Sequence, residues 1–252
     1  MMKSTTKGKI IYIGAIAIWL LLWQLFALSI AQELFLPSPL AVLIRLFHLV
    51  FEKSFWSSIL FSLSRVSIGF FSSLLIAFIL ASLSYRIAAI EILLNPLVKA
   101  IRAIPVASIV ILTLVWVSSR NLSVVISFMV VFPIVYTGLL EGLKETPKEM
   151  LEMANVYRIK GFCVARYIYI PYLIPYFETS LKTSLGLCWK SAVAAEVIGL
   201  PDGSIGENLY NAKVFFSTPD LFAWTVVIIL LASLFEKILL FLSNRIFRRL
   251  ER

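Results

Sequence analysis

The chain has 252 residues, 60% of them hydrophobic, and a mean hydropathy of +0.95, against about 45 to 50% apolar residues in soluble domains; this excludes water as its solvent and leaves room for one helical bundle. The formal charge of +9 does not make it a nucleic-acid binder, because phosphate recognition needs basic residues clustered on one accessible face, whereas here they are dispersed among alternate connectors.

Lys3, Lys7 and Lys9 precede an apolar run from Ile10 to Ala31. Ser29 and Ala31 offer small residues at a possible cleavage site, but a signal core is typically about 7 to 15 residues long, so an uncleaved first span is expected. Ser38 and Pro39 then supply a cap and a first-turn residue, followed by Leu40, Leu43, Ile44, Phe47 and Val50 on one face, which predicts a helix lying along the membrane surface. A second span is expected from about Val66 to Ser84, with Arg65 snorkelling at its edge. A third is expected from Ala103 to Val117, kinked near Pro105, and a tight turn at Ser118 to Asn121 leads into a fourth from Leu122 to Leu140.

Glu141 to Arg166 is the largest polar stretch and contains no span. Pro147 can start a helix there, with Glu149 and Glu152 near its positive end and Met150, Leu151, Ala154 and Tyr157 on a partly apolar face. The fifth span follows Pro171 and Pro175 and is interrupted by Glu178, Lys182, Lys190 and Glu196. Glu178 and Lys182 have the spacing of a helical ion pair. Lys190 and Glu196 lie six apart, cannot share a face, and each needs a partner or a water-filled cavity, which makes them the candidate pathway residues. A loop with Pro201, Gly203 and Gly206 precedes a sixth span from about Leu221 to Leu242.

On this reading one side carries Lys3, Lys7, Lys9, Arg86, Lys99, Arg102, Lys144, Lys148, Arg158, Lys160, Arg166, Arg245, Arg248, Arg249 and Arg252, and the other only Arg45, Lys53, Arg120 and Lys213. That asymmetry predicts six spans with both termini cytoplasmic. Cys163 and Cys188 lack a paired spacing, and His48 is the single histidine, so neither a metal site nor a catalytic set can be assembled. No internal repeat and no linker divides the chain, so residues 1–252 are expected to form a single membrane domain.

The stretch from Glu152, EMANVYRIKGFCVARYIYIP, resembles the cytoplasmic-loop signature of binding-protein-dependent ATP-binding cassette permeases: Glu-Ala-Ala, three residues, Gly, nine residues, then Ile-x-Leu-Pro. Glu152, Ala154, Ile168 and Pro171 match in register, and Ile170 replaces Leu conservatively. Arg158 stands where that family has a turn glycine; positive φ costs an arginine more, and Gly161, three residues on, is an alternative place for the turn. The segments LPSPLAVLIRL (Leu36 to Leu46), AIRAIPVASIVILTLVW (Ala100 to Trp116) and WKSAVAAEVIG (Trp189 to Gly199) are similar to permeases of nitrate, sulfonate, taurine and thiamine-precursor importers.

The resemblance implies an all-α permease fold of the type I importer, a loop at about 141–168 that couples to an ATPase through Glu152, Ala154, Arg158, Gly161, Ile168 and Pro171, and a bacterial inner-membrane location. It also implies a second permease copy, ATPase subunits that hold ATP and Mg, an extracytoplasmic binding protein that delivers a small polar or anionic solute, and no cofactor in this chain. The sequence has no G-x-x-x-x-G-K-[ST] phosphate loop, so ATP chemistry is expected on another polypeptide. The competing reading is a secondary transporter or channel, which would work without an ATPase.

Overall fold

The computed structural model describes residues 6–30, 32 and 34–250, and among them every regular element is helical. In chain order these are α1 (Thr6–Ile30), α2 (Pro39–Val50), α3 (Lys53–Arg86), α4 (Ala88–Ala103), α5 (Val106–Thr113), α6 (Ser119–Lys144), α7 (Lys148–Val156), α8 (Gly161–Val164), a π-helical turn (Ala165–Tyr169), α9 (Ile170–Gly199), α10 (Ile205–Val214) and α11 (Thr218–Leu250). Three of them, α3, α6 and α11, are long and apolar enough to cross a membrane, and α4 with α5 would make a fourth if counted as one broken span. The 25 residues of α1 reach roughly 37 Å and the 30 of α9 roughly 45 Å at 1.5 Å per residue, both beyond a hydrocarbon core of about 30 Å.

The third span departs from expectation. The chain bends by 105° between α4 and α5, and the eight residues of α5 reach only about 12 Å, too short to cross alone. Pro105 has no N–H to continue α4 and forces the residue before it out of the helical region; Ile104 is accordingly extended, at φ −77° and ψ 132°. The fourth and last expected spans fall within α6 and α11, and the second within an α3 that continues well beyond it.

Three helices make the bundle's centre. Val66, Phe70 and Ala77 of α3, Val131 and Val135 of α6, and Leu185 and Trp189 of α9 are almost fully buried in one apolar cluster. Close approach replaces side-chain bulk where α3 crosses α6: a Cβ on Gly69 would lie 2.3 Å from the Val124 carbonyl oxygen, so only glycine fits. A second cluster joins α2, α3, α10 and α11 through Val42, Leu49, Phe55, Ile205 and Trp224.

As the sequence predicts, Ser38 caps α2, its Oγ accepting from the Ala41 N–H at 3.1 Å, with Pro39 in the first turn. The helix turns Val42 and Leu49 inward and leaves Leu40, Leu43, Ile44 and Phe47 exposed, a face that suits lipid. Arg45 anchors it by donating to the Asp220 carboxylate at the start of α11, with Glu52 3.6 Å away.

Candidate functional site

A groove of about 420 Å³ runs along one side of the bundle, walled by α4, α5, α6 and α9. Its apolar lining of Ile109, Val130 and Leu187 is interrupted by the hydroxyls of Thr137, Thr179, Ser180, Thr183 and Ser191, and Arg102 and Glu141 stand at its end near the α7–α8 loop. Thr137, Thr179 and Thr183 each donate to a carbonyl of their own helix, at 2.8, 2.8 and 3.0 Å. The hydroxyls thereby tolerate apolar surroundings while their oxygens remain available to a polar solute. At this wall α6 and α9 touch: a Cβ on Gly138 would lie 1.8 Å from Ser180 Oγ.

The two candidate pathway residues separate. Lys190 is exposed and follows Thr179 and Thr183, two groove-lining residues, by eleven and seven positions, which at 3.6 residues per turn places it on the same face of α9. Glu196 lies on the opposite face and is wholly buried. Its Oε2 accepts from Ser62 Oγ of α3 at 2.7 Å and from the Gly206 N–H of α10 at 3.2 Å, while Ser62 Oγ also accepts from the Ile205 N–H at 3.1 Å.

Two unsatisfied N–H groups at the start of α10 thus find acceptors on neighbouring helices. The contact is tight, because a Cβ on Gly206 would meet Glu196 Cβ at 2.3 Å and backbone atoms of Glu196 and Val197 at 2.5 and 2.6 Å. Among the described residues Glu196 lines no groove wall and makes no ion pair; it clasps α3, α9 and α10 together. Glu178 and Lys182 approach to 3.7 Å, as their spacing predicts.

At the opposite end of α9, the polar stretch around α7 and α8 is helical and largely exposed. α7 presents Glu152 to solvent, together with Met153, Val156 and Tyr157, and Phe162 of α8 is 76% exposed. Ala154 and Ile168 are buried within the chain, so these two hold the loop against its own bundle, and Met150 and Tyr157, expected beside Ala154, turn outward. Gly161 and Pro171 are exposed. Tyr169, in the π-helical turn, donates from its hydroxyl to that of Tyr85 on α3 at 3.3 Å, and Lys144 pairs with Glu91 at 2.6 Å, which ties the end of α6 to α4.

The turn after α7 sits on Arg158 itself, at φ +51°, and Gly161 keeps an ordinary φ. Ile159 N–H bonds the Ala154 carbonyl at 2.9 Å and Arg158 N–H bonds that of Asn155 at 3.0 Å, the paired closure of a helix end that glycine usually makes. Arginine takes the left-handed conformation because those two bonds fix it.

Reasoning from charge missed the hydroxyl wall of the groove. Thr and Ser in apolar spans carry no strong hydropathy signal; the available clue was Thr179 and Thr183 at i,i+4 on a helix already marked by charge.

Broken and unbroken apolar helices, a polar-lined groove and an exposed helical loop together describe a membrane transport component. The profile of the family described as binding-protein-dependent transport system inner membrane component matches residues 73–252, and the chain belongs to that family. It is 26% identical to the taurine transport system permease protein of Escherichia coli, over 93% of this chain and 87% of that one. It is 23% identical to the bicarbonate transport system permease protein of Synechococcus elongatus, over 98% and 93%. The chain is therefore a multi-pass inner-membrane permease of an ATP-binding cassette importer, working with an ATPase and a substrate-binding protein, and the reading as a self-sufficient secondary transporter is not favoured.

Proposed function

We propose that two copies of this chain face each other across the groove walled by α5, α6 and α9, and that a small polar or anionic solute passes between them. The taurine and bicarbonate permeases named above are consistent with such a cargo. The α7–α8 loop and both termini are cytoplasmic in this reading, in keeping with the basic residues gathered there. ATP and Mg belong to the partner ATPase, and no metal or catalytic group is needed in this chain.

One observation carries the reading: the loop bearing the exposed Glu152 is the direct connection between α6 and α9, the two helices that share the hydroxyl wall. A partner gripping α7 and α8 moves both walls at once, which is what rigid-body alternation between two openings requires. Val156, Tyr157 and Phe162, each about three-quarters exposed at 78%, 75% and 76%, supply apolar contact around Glu152. Arg158 sets the angle between α7 and α8, Gly161 starts α8, and Pro171 starts α9, while Ala154 and Ile168 seat the loop.

Glu152→Lys replaces an acidic contact by a basic one and is expected to lower ATPase association at least about tenfold and to abolish uptake, with normal membrane insertion. Co-purification of the ATPase beside transport in vesicles measures both. Full association and full transport in that variant would remove the loop as the coupling element.

A further inference from the structure

We propose that Lys190, with Arg120 beyond it, makes this permease itself charge-selective, so that the α10 end of the groove admits small anions and repels cations of the same size. This rests on the groove being the pathway. Among the described residues the ion pairs within 4 Å are Arg45 with Asp220 and Glu52, Lys144 with Glu91, and Lys182 with Glu178. Lys190, on the groove-side face of α9, and Arg120, at the same end of the bundle, have no such partner.

Lys190 continues the row of Thr179 and Thr183 on α9 toward the α10 end. Arg120, at the start of α6, lines a second hollow of about 520 Å³ at this end of the bundle, with Phe61, Ser119 and Asp202. Arg65 adds a third cation nearby: its Nε donates to the Arg120 carbonyl at 3.0 Å, and its guanidinium lies over Phe61, 4.3 Å from the ring centre. Against these three stands Asp202, the one carboxylate lining that hollow, and it makes no ion pair.

The carboxyl of Glu196 is turned away on the far side of α9, held by α3 and α10. At the loop end the charges balance, because Arg102 and Glu141 line the groove together. An ammonium on a membrane helix with no protein partner must face water. Fixed charges of one sign along a cleft with low-dielectric walls concentrate the opposite sign within it. The hydroxyls below Lys190 then receive a solute whose charge has already been sorted. Selection at this level adds to whatever discrimination the binding protein makes, since the two act in series.

The test needs no knowledge of the cargo. Thr183→Cys is made in a chain whose Cys163 and Cys188 are replaced by alanine, within the complete importer in vesicles of each orientation. It is titrated with sulfonatoethyl and trimethylammonioethyl methanethiosulfonate, an anionic and a cationic reagent of similar size, with and without nucleotide. Relative to free mercaptoethanol, the anionic reagent is expected to be favoured about tenfold; Lys190→Gln should remove that preference and Lys190→Arg should keep it. Should Lys190→Gln fail to assemble, Arg120→Gln gives the same readout, with a shift of about threefold. Labelling with a ratio that neither neutralisation changes would overturn charge selection and leave the groove as pathway. No labelling from either side in any nucleotide state would overturn both.

Discussion

At one end α9 sends a buried Glu196 to Ser62 of α3 and Gly206 of α10; at the other it emerges from α7 and α8, where Val156, Tyr157 and Phe162 lie open to solvent. The first end is self-contained. Its backbone donors meet acceptors from other helices, and glycine lets α10 approach within the thickness of a backbone. The second is unfinished: apolar side chains surround an exposed carboxylate, and the turn between the two short helices rests on an arginine in a left-handed conformation. The closed end satisfies the first N–H donors of α10 from its own chain, although Glu196 Oε1 and Ser123 Oγ stay buried without a hydrogen-bond partner; the open end leaves apolar contacts uncovered, as suits a surface proposed to dock another subunit.

The closed end is most sensitive at Gly206. A Cβ there meets Glu196 Cβ and two backbone atoms within 2.6 Å, so Gly206→Ala must lift α10 off α9 and lose both of its tertiary acceptors. The expected cost is about 3 kcal/mol. The fraction of purified permease that stays monodisperse on heating should fall steeply, and an unchanged melting curve would show that α10 is not clasped.

Glu196→Ala comes next, at about 2 kcal/mol, because it leaves the Gly206 N–H without an acceptor in a dry site. Glu196→Gln keeps an oxygen for Ser62 and Gly206, so it should cost less than about 1 kcal/mol. Equal damage from both variants would mean that the negative charge matters, and the clasp would have to be an electrostatic element.

The smallest effect is at the other end and of the opposite sign. Arg158→Gly relieves a left-handed arginine at some cost in unfolded-chain entropy, for a net gain of about 0.5 to 1 kcal/mol at the end of α7. Hydrogen exchange of the Tyr157 to Ile159 amides should slow while uptake is retained. Faster exchange there would show that the arginine side chain holds the turn.

The sequence alone supplied the membrane setting, the helix starts at Ser38–Pro39 and Pro147, and the exposed polar loop, because hydropathy, charge asymmetry and capping chemistry act within a few residues of each other. It also exposed Lys190 and Glu196 as residues needing an explanation, since charges in an apolar run cannot be neutral features. It could not tell them apart. Helical spacing says that they face opposite ways, but which way is the groove depends on where α3, α6 and α10 lie. Only packing made Glu196 an internal acceptor and left Lys190 without an ion-pair partner among the described residues. The bend at Pro105 was legible as a weakness; its 105°, and hence the loss of a straight third span, was set by how α5 packs Ile109 and Val110 against Leu122, Ile126 and Ala195. Arg158 shows the same division: the motif located the turn, and two backbone hydrogen bonds decided that an arginine, not Gly161, would bear it.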